Sequence, residues 1–334
     1  MIDALRRGWE RWVAFWAVQE HPRALAVVRI CLGLVILYDF VQIWVLDLVP
    51  LLFAPGHVGG LSPIDATNAS PWFYDLFPRT VASGRLLHAI ITVSAFAFTV
   101  GAFTRTAALV LLLSWAQHAQ ILPAADRGID TLCRDVLWIF LFADAGATWS
   151  IDAVRRTGSW FGDGTDIGAW ARRLVVLQLV AMYFLAGVQK GGIHWYPMGY
   201  FASLYFILQD PAIAQFDFGF LANQPFFFTT QVGTAVTIVF QDTYPLVLLW
   251  AHYRNTPDQP GRLRAFANRW RLEWWWIGTG ALFHVLLAAT TELGIFPWAM
   301  LALYPAWLRP VDVANLQQWL ADRTGLPVAP SSSA

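Results

Sequence analysis

Lysine is almost missing from this 334-residue chain: of 22 basic side chains, 21 are arginine and one is Lys190. Charge of either sign is scarce, at 13% of residues, where soluble domains carry about 25%. The two cysteines, Cys31 and Cys133, are too few for a disulfide scaffold, and they are expected in the inner half of the first span and at the outer start of the fourth, too far apart to pair. Basic and acidic groups balance at 22 each, which excludes the basic surface of a nucleic-acid binder. The seven histidines show no HExxH or other close ligand spacing, so no metal is expected. A Walker loop, a GxGxxG after a strand and a GxSxG elbow are all missing as well. What is plentiful is apolar surface: 57% of residues are hydrophobic and 16% aromatic. A soluble fold needs a polar coat that so few charges cannot supply, so the chain is expected to be all-α and polytopic in a membrane.

A transmembrane helix needs about 20 apolar residues, and runs near that length predict about eight spans. They cover roughly 24–49, 86–103, 107–122, 132–148, 174–188, 227–250 and 274–289, with a short eighth at 295–308 that contains Pro297 and Pro305. Arginine placement orients them. Arg6, Arg7, Arg11, Arg23, Arg105, Arg155, Arg156, Arg172, Arg173, Arg254, Arg262, Arg264, Arg269, Arg271, Arg309 and Arg323 fall on one side, and only Arg79, Arg85, Arg127 and Arg134 on the other. Since cytoplasmic loops hold the excess of Lys and Arg, both termini are expected in the cytoplasm, in a bacterial cytoplasmic membrane.

Residues 1–20 place Trp9, Trp12 and Trp16 at helical spacing among charges, as in an amphipathic helix lying on the inner surface, and Pro22 separates it from the first span. No cleavable signal peptide is expected. The main membrane domain then covers 21–310 and a cytoplasmic tail 311–334, disordered over its final PVAPSSSA. Residues 191–226 hold no Lys or Arg yet include HWYPMGYFASLYFIL, which suits a re-entrant or interfacial segment on the outer face.

Ionisable groups inside apolar runs are costly and are therefore functional candidates. Asp47 and His88 sit near span ends, where they can reach the interface. Arg134 can pair with Asp130 one turn earlier. Arg29 and Asp242 both fall in the inner halves of their spans and form a candidate structural ion pair. Lys190 stands apart because arginine cannot release its proton, whereas a desolvated lysine can. A general base at the end of the fifth span and a snorkelling lysine both fit its position. Gly191 and Gly192 follow at once, which ends the helix and lets a ligand approach the backbone. His118, in SWAQHAQ near the outer end of the third span, is either a hydrogen-bonded structural residue or a second member of the site. Its expected depth matches that of Lys190, so the two are expected to face one cavity.

These blocks resemble the HTTM family, the transmembrane module shared with vitamin K-dependent gamma-carboxylase. The likeness runs over roughly residues 20–310. YFLAGVQKGGIHWYPMGY is similar to the carboxylase pattern in which AGVKK is followed by Trp and Gly, with Lys190 on the catalytic lysine and Trp195 and Gly199 on the Trp and Gly. Gln189 replaces a second lysine. SWAQHAQ is similar to SWNNHS, with His118 on the histidine while Ala116 and Gln117 replace the asparagines. FADAGATWSIDA matches a stretch that ends in Trp149, Ser150 and Asp152, and FQDTYP and Phe283-His284 also look like the family.

The resemblance implies a carboxylase-like, lyase-like membrane enzyme. Lys190 and His118 are its catalytic candidates, and Trp115, Gln117, Gly191, Gly192, Trp195 and His284 its substrate or cofactor contacts. It also implies a lipid-soluble quinol of vitamin K or menaquinol type, with membrane lipid as the surroundings. The short tail after the last span stands where the carboxylase has its lumenal peptide-recognition region, which makes gamma-glutamyl carboxylation itself the weaker expectation. The alternative is a noncatalytic component that assists maturation or export of a small secreted peptide toxin, together with a membrane-associated partner protein.

Overall fold

The computed structural model describes residues 2–63 and 71–324; the PVAPSSSA tail lies outside them. The described chain is helical apart from one two-stranded ribbon. It divides into two compact units, 1–175 with 305–334, and 176–304.

The first unit begins with α1 (Ile2–Trp16), which leaves Trp9, Trp12, Val13 and Phe15 exposed. Strand β1 (Gln19–Glu20) pairs antiparallel with β2 (Ile167–Gly168). Then come α2 (Arg23–Val45), α3 (Val49–Phe53), α4 (Trp72–Leu76), α5 (Val81–Val100), α6 (Thr104–Ile121), α7 (Gly128–Phe142) and α8 (Ile151–Thr157). Helices α2, α5, α6 and α7 pack in chain order, as short connections between antiparallel helices require. Their shared core holds Leu32, Ile36 and Phe40 of α2, Leu87, Ile91 and Phe98 of α5, Leu111 of α6, and Val136 and Phe140 of α7.

Helix α9 (Trp170–Val188) starts in this unit and continues into the next. At its start Arg172 forms a two-pronged pair with Glu20 at 2.6 and 2.7 Å and donates to the Ala306 carbonyl at 2.8 Å. This geometry holds the link before α2 against the start of α9.

The second unit contains the rest of α9, then α10 (Ser203–Gln209), α11 (Phe226–Thr243), α12 (Leu246–Asn255), α13 (Arg262–Arg269), α14 (Leu272–Thr290) and α15 (Phe296–Leu303). Residues 191–226 form short helical turns around α10. The Thr234 hydroxyl accepts the Leu204 N–H at 3.0 Å, and the Thr290 carbonyl accepts the Gln215 N–H at 3.0 Å, so this connection is tied to both α11 and the end of α14. The chain closes with α16 (Pro310–Thr324), which belongs to the first unit. The part of the tail at 311–324 is therefore helix.

Every predicted span corresponds to helix, although the lengths differ. Helices α2, α5 and α9 are each long and apolar enough to cross a membrane, and α11 with α12 makes a fourth if the pair, bent by 57°, is one span. The bend falls where Pro245 interrupts the run, as expected of proline within a helix. Helix α7 has 15 residues and α15 only eight, about 12 Å at 1.5 Å per residue.

The longer helices leave apolar faces uncovered: Leu34, Tyr38 and Val45 on α2, Val93 and Phe96 on α5, Val232, Val236 and Val239 on α11, and Leu282, Val285 and Leu286 on α14. Contiguous surfaces of this kind need an apolar solvent, which accounts for the shortage of charge.

Candidate functional site

Helix α9 ends at Val188, two residues before Lys190, as the Gly191-Gly192 pair predicts. The lysine amine turns back along its own helix and donates to the Ala186 carbonyl at 2.7 Å and to Gln241 Oε1 at 2.6 Å. It also lies 4.9 Å from the centre of the Trp195 ring, within cation–π range. Gln241 is buried on α11, and the neighbouring Asp242 carboxylate rests against Gly187, close to Lys190 in the chain.

Trp195 also lines a cleft of about 290 Å³ with His194, Ser203, Phe206 and Ile207. Gly199 shapes this turn: a Cβ there would strike the Ile193 carbonyl and lie 2.6 Å from the His194 Cα. A Cβ on Gly191 would meet nothing within 4 Å, so the approach to Lys190 along that backbone is open.

His284 of α14 is fully buried in the same unit, and neither ring nitrogen has a hydrogen-bond partner. Its neighbours are Tyr183, Phe296 and Tyr304, with ring centres 5.5–6.4 Å away. The Tyr183 and Tyr304 hydroxyls are hydrogen-bonded at 2.6 Å, and Tyr183 stacks on Tyr244 at 4.0 Å. Unpaired buried polar atoms are rare and call for a partner such as water or ligand.

In the first unit, His118 stacks on Phe53 with ring centres 4.2 Å apart, and its buried Nε2 has no partner. Gln117 accepts the Phe73 N–H at 3.0 Å through Oε1, which docks α4 on α6. Trp115 packs edge-on against Phe40 at 5.4 Å, with the Arg134 guanidinium 5.8 Å from its ring. His118 belongs to the first unit and Lys190 to the second.

Several sequence expectations are corrected. His88 does not reach an interface; it is fully buried, bonded through Nε2 to the Phe40 carbonyl at 2.8 Å and edge-on to Phe53 at 4.8 Å. Arg134 pairs with Asp126 at 2.7 Å, because Asp130 turns to Arg127, which also reaches Asp39 at 2.7 Å. Within its own unit, Arg29 donates to the carbonyls of Ala145, at 2.6 Å, and Trp149.

The Trp149-Ser150-x-Asp152 block proves architectural. Ser150 caps α8 through the Ala153 N–H at 2.9 Å, while Asp152 accepts the Phe103 and Thr104 N–H groups at 2.8 and 2.7 Å and the Thr104 hydroxyl at 2.7 Å. Partial burial pushes the Asp152 carboxyl up, but these hydrogen bonds outweigh it and hold its pKa below the ordinary 3.8.

The HTTM domain pattern matches residues 18–257. The chain belongs to the HTTM family. It is therefore a membrane protein related to the transmembrane module of the carboxylase, and the HTTM match includes both Lys190 and His118. No curated protein and no solved structure matches it. Among the described residues, no three His, Cys, Asp or Glu side chains gather as a metal set.

Gln241 and the Tyr183–Tyr304 pair take part in these contacts of the second unit without having been expected from the sequence. Gln241 was visible as a polar residue beside Asp242 within an apolar run. The Tyr183–Tyr304 pair carried no local signal, because two tyrosines in aromatic-rich helices read as packing.

Proposed function

We propose that this HTTM protein is a multi-pass enzyme of the bacterial cytoplasmic membrane in which Lys190 is a general base near the outer leaflet. The apolar segments then make about eight passes, with both termini cytoplasmic. The observation that carries it is the arrangement at Lys190 Nζ. Two acceptors, the Ala186 carbonyl and Gln241 Oε1, meet the amine, which equals the number of N–H bonds on a neutral lysine. The lone pair is then free to take a proton. Arginine could not serve here, having no proton to release at accessible pH.

The surroundings fit a lipid-soluble quinol. Trp195 and Phe206 line the adjoining cleft and offer flat apolar walls to an aromatic ring, and Gly191 leaves the approach open. A bound quinol would supply an acidic hydroxyl and reducing equivalents. Lys190 would accept the hydroxyl proton at Nζ, Gln241 would hold the amine in place, and the walls would exclude water. In the first unit, His118 has an unpartnered Nε2 in an aromatic pocket and is read there as a polar contact for a ligand.

The test is quinol-dependent modification of a peptide or small acid by the purified protein, comparing wild type with Lys190→Ala and Lys190→Arg. Activity in wild type that falls about 100-fold or more in both variants supports the base. Equal activity in Lys190→Ala sinks it. Peptide maturation in cells that survives Lys190→Ala would favour the noncatalytic role in export.

A further inference from the structure

At the junction of α13 and α14 an open cleft of about 530 Å³ is lined by Arg269, Trp270, Arg271, Trp274, Trp275, Gly278, Thr279 and Leu282. All of it lies within the second unit. We propose that this cleft is a binding site for an anionic glycerophospholipid of the inner leaflet, with its phosphate between Arg269 and Arg271 and an acyl chain along α14.

The charge sits at one end of the cleft and the apolar surface at the other. Arg269 and Arg271 are exposed, and among the described residues neither side chain has a hydrogen-bond or ion-pair partner. The adjacent acid, Glu273, is buried and bound to Arg254 at 2.9 Å, so its charge is already answered. Below the arginines, residues 275, 278 and 282 recur at helical spacing and form one stripe along α14. On that stripe Trp275 and Leu282 are exposed, and a Cβ on Gly278 would meet nothing within 4 Å.

Helix α13 supports the same placement. It exposes Leu263 and Phe266, with Trp270 just beyond its end, between Arg262, Arg264 and Arg269. A basic, aromatic, amphipathic helix of this kind lies at a membrane surface. Tryptophan prefers the headgroup level, and basic pockets beside transmembrane helices on the cytoplasmic side suit anionic headgroups. A soluble phosphate compound would use the arginines but leave the apolar stripe uncovered, which favours the lipid.

The experiment measures lipid retained by the purified full-length protein in native mass spectrometry, with melting temperature as a second reading. The probes are phosphatidylglycerol, phosphatidylcholine of the same chains, and glycerol 3-phosphate. The proposal expects phosphatidylglycerol to be retained about tenfold over phosphatidylcholine, with glycerol 3-phosphate giving no protection. Arg269→Gln with Arg271→Gln should abolish that preference, whereas Arg262→Gln should keep it.

Gly278→Phe, which fills the stripe without touching the arginines, should lower retention of both lipids, and it carries the test if the arginine variant fails to fold. Equal retention of the two lipids overturns the proposal. So does protection by glycerol 3-phosphate alone, an equal loss in Arg262→Gln, or wild-type retention in Gly278→Phe.

Discussion

Lys190 Nζ and Gln241 Oε1 lie 2.6 Å apart across 51 residues of sequence. The bond joins the end of α9 to the buried face of α11, and it gives the one lysine of the chain a fixed direction. A snorkelling lysine would extend toward water; this one folds back against its own helix and Trp195.

Replacing Gln241 by Glu should place a carboxylate against the amine and hold its proton more tightly. Activity at neutral pH is expected to fall at least tenfold, and the pH–activity profile to move toward higher pH. Gln241→Leu should lower activity without that displacement. A profile that is unmoved in Gln241→Glu would argue against Lys190 as the base.

Gly280 faces the tyrosine pair, and a Cβ there would strike the Tyr304 hydroxyl and lie 3.0 Å from that of Tyr183. Gly280→Ala is expected to destabilise the protein by about 1–3 kcal/mol, the usual cost of overpacking. Removing the obstructing oxygen with Tyr304→Phe in the same chain should restore part of that loss. Melting temperatures of the two single variants and the double variant in one detergent test this, and strictly additive losses would contradict the contact.

Asp152 links stability to pH. Its carboxyl titrates below the ordinary 3.8, so its contribution is present above that value and fades as pH falls through its lowered folded-state pKa. Melting temperature should drop on acidification below about pH 4, and Asp152→Asn should be less stable at pH 7 yet show a shallower drop. The expected loss at pH 7 is about 1–3 kcal/mol, the cost of weakening hydrogen bonds to a charged acceptor. Parallel pH profiles for the two proteins would refute the assignment.

His118 Nε2 is buried without a partner, so His118→Phe, which keeps the stack on Phe53, should cost little stability or even add some. If His118 contacts substrate, the same variant should lose activity about tenfold or more while its melting temperature holds. A large fall in melting temperature with unchanged activity would make the histidine structural only.

Much of the helical layout was legible because it depends on local composition. Apolar runs mark α2, α5 and α9 directly, and Gly191-Gly192 marks the end of α9. The charged partners were less legible. Asp130 is one turn from Arg134 in sequence, yet Arg127 captures it because the Arg127 side chain also reaches Asp39 from α2. His88 lies near the start of an apolar helix, which suggested an interface; packing against Phe40 and Phe53 buries it instead.

Composition alone determined that this chain lives in lipid, since 13% charged residues cannot coat it for water. The sequence likewise singled out Lys190, by chemistry that arginine lacks. Tertiary structure decided what Lys190 touches, and that Asp152 caps the start of α6 as well as lying in its own short helix. The reason is range: helix formation answers to neighbours within a few residues, while a hydrogen bond between Lys190 and Gln241 exists only once two distant helices have packed in register.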